Sequence, residues 1–209
     1  MKKLILTLIV TLVLVNVPVA WSEITPALSI EQHGGPTYPG TNRTHGWEFT
    51  VNEDVQVVAL GIFDYEDDPL YAPGLIWSHD IGMWHDGELI SSTIIPAGTD
   101  ILLVDDFRYV EIDPFWLDAG ETYIIGNTMP IDPFVGNDSD SIITTLPLIT
   151  YERTMISEDG SGFSLPTLEI DSFYRIGPNF LVIPEPTTLF LLSLGITLIR
   201  RRRNGPKSQ

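Results

Sequence analysis

The chain has 209 residues, room for one domain of ordinary size plus terminal segments. It carries 28 acids against 11 bases, a formal net charge of −17, and no cysteine. These facts exclude disulfide staples, thiol catalysis, zinc–thiolate sites and iron–sulfur clusters, and they argue against nucleic acid as a partner, because so acidic a chain repels phosphates.

In chain order, the first element is Met1-Lys2-Lys3, a short basic run, followed by Leu4 to Val15, apolar except for Thr7 and Thr11. That run is too short to span a bilayer comfortably. Ala20-Trp21-Ser22 then supplies small residues where a signal peptidase reads. Residues 1–22 read as a secretory signal peptide, cleaved after Ser22. Residues 23–45, with Gly34-Gly35-Pro36 and Pro39-Gly40, read as an irregular lead-in. From Gly46 the pattern changes to short runs rich in Val, Ile, Phe, Tyr and Trp, bounded by turn residues. The expected strands are 47–51, 55–63, 79–84, 89–95, 107–112, 122–126, 142–145 and 173–182. Asp86-Gly87 between two such runs predicts a hairpin. Pro96-Ala97-Gly98 and Ala119-Gly120-Glu121 mark further turns. No window of the body holds a helical period. The expected fold is all-β, a single jelly-roll-like β-sandwich over residues 46–183.

Within that body the acids are the first candidates for chemistry. Asp64, Glu66, Asp67 and Asp68 crowd four carboxylates into five residues, after a strand and before the helix-disfavouring Pro69. Carboxylates so close repel one another unless water or a cation intervenes. Calcium takes six to eight oxygens from such loops, so these four, with Asp80 folding back, form a candidate calcium site, the alternative being a solvated acidic loop. The spacing does not match an EF-hand. Asn137-Asp138-Ser139-Asp140 is a second oxygen-rich loop. Among the aromatics, Trp77 follows the loop residues Leu70 to Gly74 and is expected to be exposed. With Tyr71 it is a candidate glycan contact, since sugar rings stack on such faces. Trp47 lies within a strand and is expected in the core. His79 and His85 are about 20 Å apart along one strand and cannot share a metal there. His79 reads as a hydrogen-bonded strand residue. There is no G-x-S-x-G and no H-E-x-x-H, so no residue is assigned a catalytic role.

The charge distribution gives the ends their meaning. The stretch from Glu23 to Ile183 holds four arginines, no lysine and 27 acids, a formal −23, whereas seven of the 11 bases sit in the two termini. Residues 184–209 open with Pro184, Glu185 and Pro186, continue through an uncharged run from Thr187 to Ile199, and reach Arg200, Arg201, Arg202 and Arg203. As a helix those 13 uncharged residues reach about 20 Å, less than the hydrocarbon core of a bilayer. The arginines snorkel to the headgroups and hold the tail on the cytoplasmic side. The expectation is a short transmembrane helix with the acidic body outside.

This ordered set, paired with a signal peptide, resembles the PEP-CTERM sorting signal of Gram-negative bacteria that make extracellular polysaccharide. The resemblance implies transient anchoring in the inner membrane and processing near Pro184-Glu185-Pro186 by an exosortase-type enzyme. The cell surface or extracellular matrix is then the destination. In the body, Gly46-Trp47-Glu48-Phe49-Thr50-Val51, Ser78-His79-Asp80-Ile81-Gly82-Met83-Trp84, Phe107-Arg108-Tyr109-Val110 and Leu117-Asp118-Ala119-Gly120-Glu121-Thr122-Tyr123 follow in an order similar to a β-sandwich domain of unknown function that recurs in PEP-CTERM proteins. That family implies no catalytic residues. Three roles follow as expectations: a structural or adhesive protein of an extracellular polysaccharide layer; a carbohydrate-binding module with a calcium-stabilised acidic loop; and, least favoured, an extracellular hydrolase.

Overall fold

The computed structural model describes residues 23–32, 36–37, 42–64, 73–128, 132, 134–135, 142–170 and 176–184. Alternating apolar residues build two main antiparallel sheets among them. The first orders β1 (Thr25–Pro26), β15 (Pro178–Pro184), β5 (Val55–Phe63), β9 (Phe107–Leu117) and β8 (Leu103–Val104). The second orders β14 (Leu168–Glu169), β13 (Ile149–Ile156), β4 (Thr44–Val51), β10 (Thr122–Thr128), β6 (His79–His85) and β7 (Glu88–Ile95). Two small ladders pair β2 (Leu28–Gln32) with β12 (Ile142–Thr145), and β3 (Pro36–Thr37) with β11 (Phe134–Val135). The inward faces of both sheets supply one core. Trp47 of β4 stacks on Phe180 of β15 with ring centroids 5.9 Å apart, and its indole N–H donates to the Pro178 carbonyl at 2.8 Å. Phe49 meets the same Phe180 ring at 5.0 Å. Face-to-face sheets around a shared apolar layer form an all-β architecture consistent with a β-sandwich.

The lead-in expected to be irregular is part of this unit. Thr25 and Pro26 pair with Val182 and Leu181, and β2 pairs with β12. Ala27 N–H donates to the Phe180 carbonyl, and the buried Asn179 amide donates to the Leu28 carbonyl at 2.7 Å. The compact unit therefore runs from Ile24 to Ile183 rather than from Gly46. Ala27 and Leu28 are fully buried, and two adjacent apolar residues are too short a run to announce a strand. The strand expected over 173–182 is observed as Pro178–Pro184, residues 171–175 lying outside those described.

Three glycines stand side by side across the second sheet, Gly46 on β4, Gly126 on β10 and Gly82 on β6. A Cβ on Gly46 would lie 1.9 Å from the Ile125 carbonyl oxygen. On Gly82 it would meet Phe163, and on Gly126 it would meet Pro166. The segment after β13 thus lies over the bare backbone, and Phe163 also covers Trp84 at 5.3 Å. Trp84 is buried on the face opposite Ile81 and Met83, which enter the core. The Asp86-Gly87 hairpin forms as expected. Both residues have positive φ, 50° and 83°, as a tight two-residue turn of matching twist requires. Asp105 and Asp106, at 47° and 64°, make the same kind of turn between β8 and β9.

Candidate functional site

Of the acidic run, Asp64 lies among the described residues. Asp64, at the end of β5, turns inward and is nearly fully buried. Arg108 Nε donates to its Oδ2 at 2.5 Å, and Arg108 Nη1 donates to the carbonyls of Thr99 and Ile101 at 3.1 and 2.7 Å. A guanidinium needs several acceptors when buried; here one carboxylate and two carbonyls supply them. Asp80 is exposed on β6, its N–H donating to Thr128 Oγ1. Glu66, Asp67 and Asp68 lie outside the described residues, as does the oxygen-rich loop at 137–140. Among the described residues no group of three or more His, Asp or Glu side chains is placed to hold a metal ion.

Trp77 is 51% exposed and its neighbour Ile76 37%, while the backbone beneath them is held from inside. Asp132, 2% exposed, accepts the Ile76 N–H on Oδ1 at 2.7 Å and the Trp77 N–H on Oδ2 at 3.1 Å. His79, fully buried at the start of β6, faces the same carboxylate. Its Nε2 and Asp132 Oδ2 share a hydrogen bond of 2.6 Å, and its Nδ1 donates to the Thr128 carbonyl at 2.5 Å. A third tether comes from the other side, where Gly98 N–H donates to the Leu75 carbonyl at 2.8 Å. Neither a buried carboxylate nor a buried imidazole is retained cheaply without full hydrogen bonding. Here that bonding fixes the short stretch that carries two exposed apolar side chains.

The His79–Asp132 pair is buried and holds the Trp77 backbone from beneath. The other described tryptophans divide as their positions dictate. Trp47 is in the core and Trp84 lies under Phe163, whereas Trp116 on β9 is 49% exposed. His85 stacks on Tyr123 at 4.6 Å and lies 3.4 Å from Glu121.

Sequence reasoning singled out Trp77 and His79 separately. It had no signal for Asp132, which joins them from 53 residues downstream of His79. Tyr71 lies outside the described residues. Of the sorting residues, Pro184 ends β15, and Glu185, Pro186, Arg200, Arg201, Arg202 and Arg203 lie outside the described residues. Among those described, no helix is long and apolar enough to cross a membrane. No family model, curated protein or solved structure matches this chain.

Proposed function

We propose that this chain is an exported, non-catalytic protein of an extracellular polysaccharide layer, adhering to that layer through an aromatic platform at Trp77. The observation that supports the reading is the Ile76–Trp77 tip, exposed outside and bonded inside to the buried Asp132 and His79. Preorganising a side chain before binding removes an ordering cost that would otherwise weaken the complex. An indole held this way offers a fixed apolar face to a sugar ring.

In this reading the body is a jelly-roll-like sandwich, delivered by a cleaved signal peptide over residues 1–22. It is held transiently at the inner membrane by a helix over residues 187–199. An exosortase-type enzyme processes it near Pro184-Glu185-Pro186, leaving Arg200 to Arg203 behind. The test is a glycan-array screen of residues 23–183 beside the Trp77→Ala variant. We expect binding to a polysaccharide that falls at least tenfold in the variant, about 1.4 kcal/mol. Absence of glycan binding, or binding indifferent to Trp77, overturns the proposal.

A further inference from the structure

His79 stands at the start of β6 with an acceptor at each ring nitrogen. Its Nδ1 lies 2.5 Å from the Thr128 carbonyl oxygen, and its Nε2 lies 2.6 Å from Asp132 Oδ2. A carbonyl oxygen only accepts, so Nδ1 carries a proton. The contact at Nε2 then needs a second proton, shared with Asp132. If that proton is lost, two lone pairs face each other across the contact. Moving the remaining ring proton to Nε2 repairs it and turns a lone pair of Nδ1 against the Thr128 carbonyl. No arrangement of a neutral imidazole beside an ionised Asp132 therefore satisfies both contacts. An extra proton fits no better. Asp132 accepts the Ile76 N–H on Oδ1, and the Trp77 N–H and the shared proton on Oδ2. An added carboxyl hydrogen finds donors and no acceptor among these partners. Both side chains are buried, where an unsatisfied polar contact is costly.

No other charged side chain contacts the pair among the described residues. β7 sets Ile95 opposite His79, and β10 brings Thr128 and the uncharged Asn127, whose amide donates to the same Thr128 carbonyl at 2.9 Å. Asp80 follows on β6 but is exposed, and among the described residues it belongs to no group placed to hold a metal ion. His45 on β4 stands opposite Asn127, with β10 between it and β6. Arg108 and Asp64 are reached through the loop whose Gly98 tethers Leu75, and they close on each other. We infer that His79 and Asp132 form a pH-sensitive clamp on the Ile76–Trp77 backbone, closed while the pair holds one shared proton and released when that proton leaves. The opened pair, a neutral imidazole and a carboxylate, binds one proton fewer than the closed one. Rising pH therefore favours opening, by about tenfold per pH unit once the opened histidine is neutral. The proton belongs to the pair and not to either residue alone. The clamp governs when the Trp77 tip is rigid, and its chemistry does not depend on what that tip meets.

The experiment follows amide hydrogen exchange by NMR in the full-length chain in detergent, from about pH 7.5 to about pH 9.5, above the ordinary histidine range. Exchange through a brief local opening is base-catalysed and by itself rises about tenfold per pH unit. The Ile76 and Trp77 amides should add the proton-linked opening and rise about a hundredfold per unit. Ala119 is the control, because its N–H also donates to a carboxylate, that of Asp54 at 2.7 Å, at a site away from His79. It should rise about tenfold per unit. Two variants accompany the unaltered chain, with melting temperatures to verify that each folds. His79→Gln removes the titrating ring, and Asp132→Asn offers an amide donor to a neutral imidazole. In both, Ile76 and Trp77 should return to about tenfold per unit. A rise of only about tenfold at Ile76 and Trp77 in the unaltered chain overturns the inference without recourse to a variant. So does the steeper rise at Ala119 as well, which would assign the opening to the whole fold, or a steeper rise that survives in His79→Gln. No glycan enters the measurement, so its failure is distinguishable from failure of the adhesive reading.

Discussion

Asp64 and Arg108 form a buried ion pair in the described core. Each is nearly without solvent, and each satisfies the other at 2.5 Å. Removing one partner of a buried ion pair typically costs about 3–5 kcal/mol, and the two carbonyls that Arg108 also engages place Asp64→Ala toward the lower end. Asp64→Ala should lower the urea midpoint accordingly, and a loss below about 1 kcal/mol would show that the pair is not closed as described. Tyr109 gives a gentler case. Its hydroxyl is buried without a hydrogen-bond partner. Burial, and secondarily the charge of Asp105, pushes its pKa well above the usual value of 10.0. A phenol harder to ionise in the fold than in the unfolded chain contributes stability below pH about 10, which is lost as pH rises past that value. Tyr109→Phe should be neutral or stabilising at pH 7 and should carry folding to higher pH, both measurable by denaturation across the alkaline range. An unpaired hydroxyl gives no reason to expect a loss. The sequence reading grouped Asp64 with its acidic neighbours because nothing in a run of acids marks the one that turns inward. Its partner lies 44 residues away, and only the pairing of β5 with β9 brings them together. Trp77 was legible as exposed because the loop before it is rich in turn residues. The Asp132 carboxylate beneath it was not.

At the level of elements, regular alternation was readable and bulges were not. β5 and β12 have the limits that their sequence predicts. β13 was missed because its register slips between Tyr151 and Arg153, leaving Glu152 as an extra residue that breaks the period of two. β9 was expected to stop at Ile112, yet it continues past Pro114 to Leu117 through the bulge opposite Val58. A proline is tolerated where no ladder bond is required of its nitrogen. The glycine row makes the complementary point, since absence of a side chain carries structural information. Gly46→Ala forces a Cβ against the Ile125 carbonyl oxygen, backbone that cannot swing aside. Overpacking costs about 1–3 kcal/mol, and a backbone clash belongs at the upper end. Gly87→Ala meets no atom within 4 Å but keeps φ near 83°, a left-handed strain of about 1–2 kcal/mol. Guanidinium unfolding of the two variants should rank Gly46→Ala as the more damaging; the reverse order would contradict the close approach of β4 and β10.

At the scale of the whole molecule, charge and order of parts agree with one another. The body from Glu23 to Ile183 carries a formal −23, and the bases gather at the termini. The proposed export of the body, with the tail left at the inner membrane, would account for that separation. The two-sheet architecture was legible from strand spacing and turn chemistry. The arrangement at Trp77 was not, because an exposed side chain obeys no periodicity and Asp132, which joins its backbone to His79, is distant in sequence. Cells that make the polysaccharide layer offer the most direct measurement of the adhesive claim. The full chain and its Trp77→Ala variant would be expressed, and processed protein counted in the polysaccharide layer and in the medium. The account predicts that both forms are exported and processed equally, and that the variant shifts from layer to medium by at least tenfold. Equal retention of the two in the layer would contradict it.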